Sequence, residues 1–295
     1  MSSYESSRCF KLNTGHNIPL IGVGTYQITG PEAVRTTIDA AQAAGNRHID
    51  TAKVYTNEKD IGNALKELMP KYNLHRSDIY ITTKVFLNSE DSKKATREAV
   101  EESLQLLHID FLDLVLVHYP RPSKVPSDNP ANPALRRDCY QELEKLKDEG
   151  KIRSIGVLNY EIGRLEELNK YARIPPSVNQ CECHPHFTRL PLRQYCHSNN
   201  IFFQAFSSLG KQNPKLIQDP VIAQIAQHHN TSVNLVLLAW ALAQDIGILP
   251  KSQTPSRIKE NFESTKVKLT DDEVQQISSL NCEQPYTMCD PWNIL

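Results

Sequence analysis

The chain has 295 residues, 39% of them hydrophobic and 7% aromatic, which excludes a disordered chain and leaves room for one large domain or two modest ones. Charge is balanced, 33 Lys and Arg against 34 Asp and Glu, so no basic excess is present to neutralise a phosphate backbone, and nucleic acid is not expected as a partner. Apolar runs such as LDLVLV near residue 115 are far too short to span a bilayer, so no membrane association is expected either. The chain opens on FKLNTGHNIPLIGVGT, where Asn13-Thr14-Gly15-His16-Asn17 between two short runs predicts a hairpin over about residues 10–19. Short β-branched or apolar runs then recur at IGVG (21–24), RHID (47–50), IYITTKV (79–85), FLDLVLVH (111–118), IRSIGVL (152–158), SVNQCE (177–182), IFFQAF (201–206) and IGILP (246–250).

Helical periods fill the gaps. Over 31–45, Val34, Ile38 and Ala41 share a face and Gly45 supplies a stop. Over 93–107, Ala95, Ala99, Leu104 and Leu107 do the same; 137–150 ends at Gly150; 231–244 is apolar nearly all round and should be buried. Strands alternating with helices predict parallel βαβ units. An open doubly wound sheet and a closed barrel both satisfy the alternation. Eight units with no linker fit the barrel better, so the expected fold is α/β: a (β/α)8 TIM barrel in one domain over 1–295. The N-terminal β-hairpin precedes it, and an extra C-terminal helix (270–280) leaves 281–295 as a tail over the pocket.

A barrel carries its active site where its strands end. Asp50 ends the second run, with Tyr55 in the loop after it; Lys84 ends the third and His118 the fourth. An Asp at a strand end often caps a helix, and a lone His is most often a satisfied core residue. Four polar groups at consistent top-face positions weigh against those readings. An ammonium beside a phenol is expected to lower its pKa, and an Asp would orient that ammonium. The set suits protonation of an oxygen that is gaining negative charge.

Two other patterns carry less. Gly22-x-Gly24 follows an apolar run, but position 27 is Gln and the dinucleotide fingerprint fails. Cys181-x-Cys183-His184-x-His186, with Cys196-His197 beyond, lacks the paired C-x2-C spacing of common zinc sites; structural cysteines, and no metal, are expected. Seven cysteines, an odd number in a long chain without a secretory leader, predict free thiols in a cytoplasmic protein.

The spaced motifs HIDTAKVYTNEKDIG (48–62), TTKV, LDLVLVHYP, IRSIGVLNY (152–160), VNQCECHP (178–185) and ILPKSQTPSRIKEN (248–261) resemble, in order, those of the aldo-keto reductase family. The resemblance covers almost the whole chain, including the opening segment. It implies a barrel enzyme that reduces aldehydes and ketones with NADPH, releasing NADP+, with no metal. It also implies that Asp50, Tyr55, Lys84 and His118 form a catalytic tetrad with Tyr55 as acid. For the cofactor it implies Thr25, Asp50, Asn159, Gln180, Phe206, Ser207 and Leu209, then Lys251, Ser252 and Arg257 at the 2′-phosphate and Glu260 and Asn261 near the adenine. Thr254 and Pro255 there also read as the cap and first residue of a helix whose N-terminus suits an anion. Three departures stand out: Leu158 where the family usually has Ser, Phe206 for a stacking Tyr, and Ser208 for a usual Pro. The substrate wall implied is Tyr26, Val54, Phe86, His118, Tyr119 and Trp292, suited to small-molecule carbonyls. The expected protein is monomeric; the alternative is a non-catalytic member of the same family, with a structural or channel-subunit role.

Overall fold

The computed structural model describes residues 8–295. A hairpin comes first: β1 (Cys9–Lys11) pairs antiparallel with β2 (Asn17–Pro19), Phe10 opposite Ile18. The barrel strands are β3 (Val23–Gly24), β4 (His48–Asp50), β5 (Tyr80–Val85), β6 (Leu112–Val117), β7 (Ile152–Leu158), β8 (Val178–Glu182), β9 (Phe202–Phe206) and β10 (Gly247–Ile248). Each lies parallel beside the next in chain order. The helices are α1 (Pro31–Ala43), α2 (Glu58–Lys71), α3 (Ser92–Leu107), α4 (Asn132–Asp148), α5 (Ile162–Asn169), α6 (Leu190–Ser198), α7 (Pro214–Ile217), α8 (Pro220–His228), α9 (Val233–Leu242), α10 (Pro255–Glu263) and α11 (Asp271–Ser278).

The sheet closes on itself. Ile21 bridges Ile248 in parallel; Ile248 N donates to Leu20 O at 2.7 Å and Gly22 N to Ile248 O at 2.9 Å. All eight expected runs are strands, and the fold is the (β/α)8 barrel. Gly22 and Gly24 have their reason at this seam rather than in a nucleotide loop. A Cβ on Gly22 would lie 2.7 Å from the Leu249 side chain and 2.8 Å from the His48 ring, and one on Gly24 2.9 Å from Leu249 O.

Every residue of β6 is buried, because a parallel barrel strand has side chains inside it and helices outside. Its one charge, Asp113, is met by Arg76 at 2.6 Å and Arg153 at 3.1 Å. α1 buries Val34, Ile38 and Ala41 and stops at Gly45, whose φ is 89°. α3 differs from expectation: its buried face is Thr96, Val100, Ser103 and Leu107, while Ala95, Ala99 and Leu104 flank it half-buried. Two of those inward residues carry hydroxyls, so an apolar count misplaces the face by one position. Residues Leu235–Leu242 of α9 are all buried. α11 begins with a capping box in which Thr270 and Glu273 exchange side-chain bonds with backbone. The period over 137–150 is met by α4, which starts earlier, at Asn132. α2 is not among the helices expected from periodicity, because it carries Gly62 and Pro70, residues that break a helical pattern; a Cβ at Gly62 would sit 2.3 Å from Leu106 O, so α2 and α3 meet closely there.

Gly22→Ala should therefore strain the closing seam. Overpacking of this kind costs about 1–3 kcal/mol. The expected outcome is a cooperative thermal transition lowered by several degrees; an unchanged midpoint would show that the seam has slack.

Candidate active site

Asp50 and Lys84 stand on neighbouring strands β4 and β5 and meet inside the barrel. Lys84 Nζ donates to Asp50 Oδ1 at 2.5 Å and to Thr51 O at 2.7 Å. The lysine has no exposed surface and Asp50 has 4%. The chain then leaves β4 through a single 3-10 turn, Lys53–Tyr55, which brings the Tyr55 ring over the ammonium, Nζ 5.0 Å from its centroid. His118, just after β6, meets the Tyr55 ring edge to face at 5.9 Å and stacks on Phe86 at 4.4 Å. The four residues singled out in the sequence thus form one cluster at the C-terminal ends of β4 to β6.

Burial pushes the Lys84 pKa down, but the carboxylate of Asp50 and the Tyr55 phenol outweigh it, and the net shift is upward. Burial together with the Lys84 charge pushes His118 down to about 3, so the imidazole is neutral at neutral pH. Its Nδ1 is buried with no hydrogen-bond partner among the described residues. Tyr55 departs from expectation. Burial raises its pKa above 10, and Lys84 opposes that without overcoming it. The motif displays the neighbouring charge but not the burial that outweighs it.

Around this cluster lie the other candidates. Gln180 on β8 donates from Nε2 to Asp50 Oδ2 at 3.1 Å and to Gln204 Oε1 at 2.9 Å. The Thr25 hydroxyl is committed to Asp50 O at 2.9 Å. Asn159, at the end of β7, is buried in the left-handed region at φ 60°. Phe206 ends β9 half-buried, and Ser207 and Leu209 follow in the loop leading to α7. Beyond β10, Lys251 lies in the loop before α10 and Arg257 in its first turn; both are exposed and form no ion pair among the described residues. Pro255 is the first residue of α10 and Thr254 its N-cap, as expected, but the Thr254 side chain makes no capping bond; Ile258 N donates to Thr254 O at 3.0 Å, and Thr254 N donates to Ser252 Oγ at 3.1 Å. Glu260 accepts from Ser232 at 2.9 Å, and Asn261 is buried.

Tyr26 lies 5.1 Å from the Tyr55 ring and, like Val54, is 54% exposed. Tyr119 is half-buried; burial, more than the nearby Cys289, raises its phenol to about 12. Trp292 meets Phe187 edge to face at 6.0 Å and lines a crevice with Asn159, Cys181, Arg189 and Cys289. The sequence reading missed Glu182, the last residue of β8. It is 5% exposed and accepts from Tyr286 N at 2.6 Å, from Thr287 N and hydroxyl, and from His184. Burial pushes this carboxyl up, but those donors outweigh it and lower its pKa. Its strand-end position was the available signal. The tail 281–295 is thus strapped to the barrel, and Leu295 N reaches Ser127 O at 2.7 Å.

The Cys-His run disperses. Cys181, Cys183 and Cys196 are buried thiols, each pushed up by burial, Cys183 and Cys196 to about 12. His184 bonds Glu182 and His186 bonds Tyr286.

Fold and site together define a barrel oxidoreductase once set beside known proteins. The model of the Aldo/keto reductase family matches residues 20–282. Aldose reductase C of Dictyostelium discoideum is 37% identical over 286 residues, covering 92% of this chain and 89% of that protein. Glyoxal reductase of Bacillus subtilis is 36% identical, covering 93% of each. The crystal structure of MGS-M4, an aldo-keto reductase enzyme from a Medee basin deep-sea metagenome library, superposes with a TM-score of 0.87 at 32% identity, covering 97% of this chain and 99% of that one. This chain belongs to the aldo/keto reductase family.

Removing one member of the buried ion pair leaves the other charge stranded, at a cost of about 3–5 kcal/mol. Lys84→Met and Asp50→Asn should each lower unfolding free energy by about that much in denaturant titrations. The double variant should lose less than the sum of the two single losses; a double loss equal to that sum would show that the pair is not coupled.

Proposed function

We propose that this protein reduces aldehydes and ketones to the alcohols with NADPH, Tyr55 supplying the proton. The observation that carries the reading is the Tyr55 phenol standing over a fully buried, carboxylate-paired ammonium at the barrel mouth. The curated relatives named aldose reductase and glyoxal reductase support carbonyl reduction as the chemistry.

The residues present suit a phosphorylated dinucleotide. Lys251, in the loop before α10, and Arg257, in its first turn, are exposed cations on either side of a helix N-terminus whose N–H groups favour an anion, which suits the 2′-phosphate. Ser252, Glu260 and Asn261 flank them. Asn159 and Gln180 offer amides to a carboxamide, Phe206 an aromatic face, and Ser207 and Leu209 the loop for the pyrophosphate. Thr25, with its hydroxyl already bonded to Asp50 O, serves through shape. When bound, NADPH supplies the hydride.

The protein's own groups handle the proton. As the carbonyl oxygen gains negative charge, Tyr55 Oη passes its proton to it. The raised pKa keeps that proton on Tyr55 through neutral pH until it is needed. The phenolate left behind is stabilised by the Lys84 ammonium, which Asp50 holds charged and oriented. His118, neutral at neutral pH, donates a ring N–H to the same oxygen and adds no charge of its own. Tyr26, Val54, Phe86, Tyr119 and Trp292 make the wall apolar and aromatic, and the first two and Trp292 stay substantially exposed. An open wall of this kind suits many aldehydes, activated ketones and dicarbonyls with modest discrimination. Free thiols suit a reducing compartment such as the cytoplasm.

Steady-state NADPH consumption with a panel of aldehydes tests the reading directly. Tyr55→Phe should lower turnover by at least about 10²-fold, the usual worth of a general acid, with NADPH binding nearly intact. Retention of more than about a tenth of turnover would remove Tyr55 from the role. Wild-type protein should prefer NADPH to NADH. A charge-assisted contact to phosphate contributes about 1.5–3 kcal/mol, so Lys251→Ala with Arg257→Ala should weaken NADPH by at least about tenfold and leave NADH unchanged. Equal wild-type affinity for both would show that α10 does not read the phosphate.

A further inference from the structure

We infer that Gln204 is a positioning residue: it fixes the direction of the Gln180 amide, and through it the face of the nicotinamide that delivers hydride. The inference rests on the cofactor reading above. Gln180 and Gln204 sit side by side, paired in register on β8 and β9, with 1% and 0% of their surface exposed. Both bonds in the pair come from Gln180 Nε2, one to Asp50 Oδ2 at 3.1 Å and one to Gln204 Oε1 at 2.9 Å. Chemistry assigns the atoms. Asp50 is the carboxylate partner of Lys84 and only accepts, so the Gln180 atom facing it is the nitrogen. The second hydrogen on that nitrogen must meet an acceptor, so Gln204 turns its oxygen to it.

Two consequences follow. The Gln180 amide is held by both of its N–H groups, and its Oε1 accepts no hydrogen bond among the described residues. It is an acceptor of fixed direction, suited to the NH2 of a carboxamide. Gln204 gains nothing for itself: its Nε2 is buried with no hydrogen-bond partner among the described residues. An unpaired buried donor is disfavoured, and an apolar side chain of the same length would fill the space beside Gly247 without it. What glutamine adds at this position is the acceptor. With that acceptor gone, Gln180 keeps one bond, to Asp50, and can turn about it, so the carboxamide is no longer held to one orientation.

The test is Gln204→Met, of similar length without an acceptor, with Gln204→Leu as a second variant of the same prediction. One hydrogen bond is typically worth about 0.5–1.5 kcal/mol, so turnover should fall about 2- to 13-fold. With NADPH deuterated stereospecifically at C4, transfer in the wild type should come from one face, and in the variant it should leak to the other. The NADPH dissociation constant should change less than about twofold, since the phosphate end of the cofactor is untouched. The thermal midpoint should stay within about 2 °C, because the variant exchanges one buried unpaired donor, on Gln204, for another, on Gln180. Gln180→Met should show at least the same loss, and adding Gln204→Met to it no further loss, as expected of a residue that acts only through Gln180. Wild-type turnover and single-face transfer in Gln204→Met would overturn the inference alone. So would a loss of turnover that tracks a loss of stability across both variants. A wild type without NADPH-dependent turnover would overturn the cofactor reading and this inference with it.

Discussion

An ammonium with no exposed surface cannot stand in a protein interior without a counter-charge and a full set of acceptors. Lys84 has both, in the Asp50 carboxylate, Thr51 O and the Tyr55 phenol, and the mouth of the barrel is organised around that requirement. Asp50 must end β4 within reach of Lys84, near the end of β5, which ties the stagger of the two strands; the register places Asp50 opposite Thr82, so the lysine two residues on reaches back. Asp50 in turn binds Gln180, and Gln180 binds Gln204, so one buried charge sets the direction of polar groups on β4, β5, β8 and β9. Neutral His118 follows from the same cause, since burial beside an ammonium removes its second proton.

Closure of the sheet is what brings these residues within reach. Asp50 and Gln180 are separated by 130 positions in the chain and hydrogen-bond across the lumen. An open doubly wound sheet would leave β4 and β8 far apart on one surface. The seam between Leu20–Gly24 and Gly247–Pro250 accepts little bulk, and the paired glycines make the fit possible. The glycines that suggest a nucleotide loop in the sequence thus have a packing cause.

The far side of the mouth depends on a second buried carboxylate. Glu182 draws the backbone of Tyr286 and Thr287 onto β8, and fully buried Arg136 binds Pro120 O and Leu295 O from α4. Between these two anchors the segment carrying Cys289 and Trp292 is laid beside Asn159 and Arg189. The tail is short, yet it is held at both ends, which leaves Trp292 44% exposed but defined in position.

The sequence by itself determined the eight strands, the barrel, the hairpin and the four polar residues at the strand ends. These are legible because strand burial and helix periodicity are local, and because a polar residue closing an apolar run is conspicuous wherever it stands. The motifs that resemble the aldo-keto reductases are likewise contiguous. Tertiary structure alone decided the rest. Burial raised the Tyr55 phenol that a charge argument would lower. The inward face of α3 was set by Thr96 and Ser103, hydroxyl residues that an apolar pattern passes over. Thr254 takes the N-cap position of α10 without a capping bond from its hydroxyl. Glu182 and Gln204 gained theirs from partners 104 and 24 positions away. Desolvation and hydrogen-bond partnership depend on which distant segments arrive, and no window of sequence contains them.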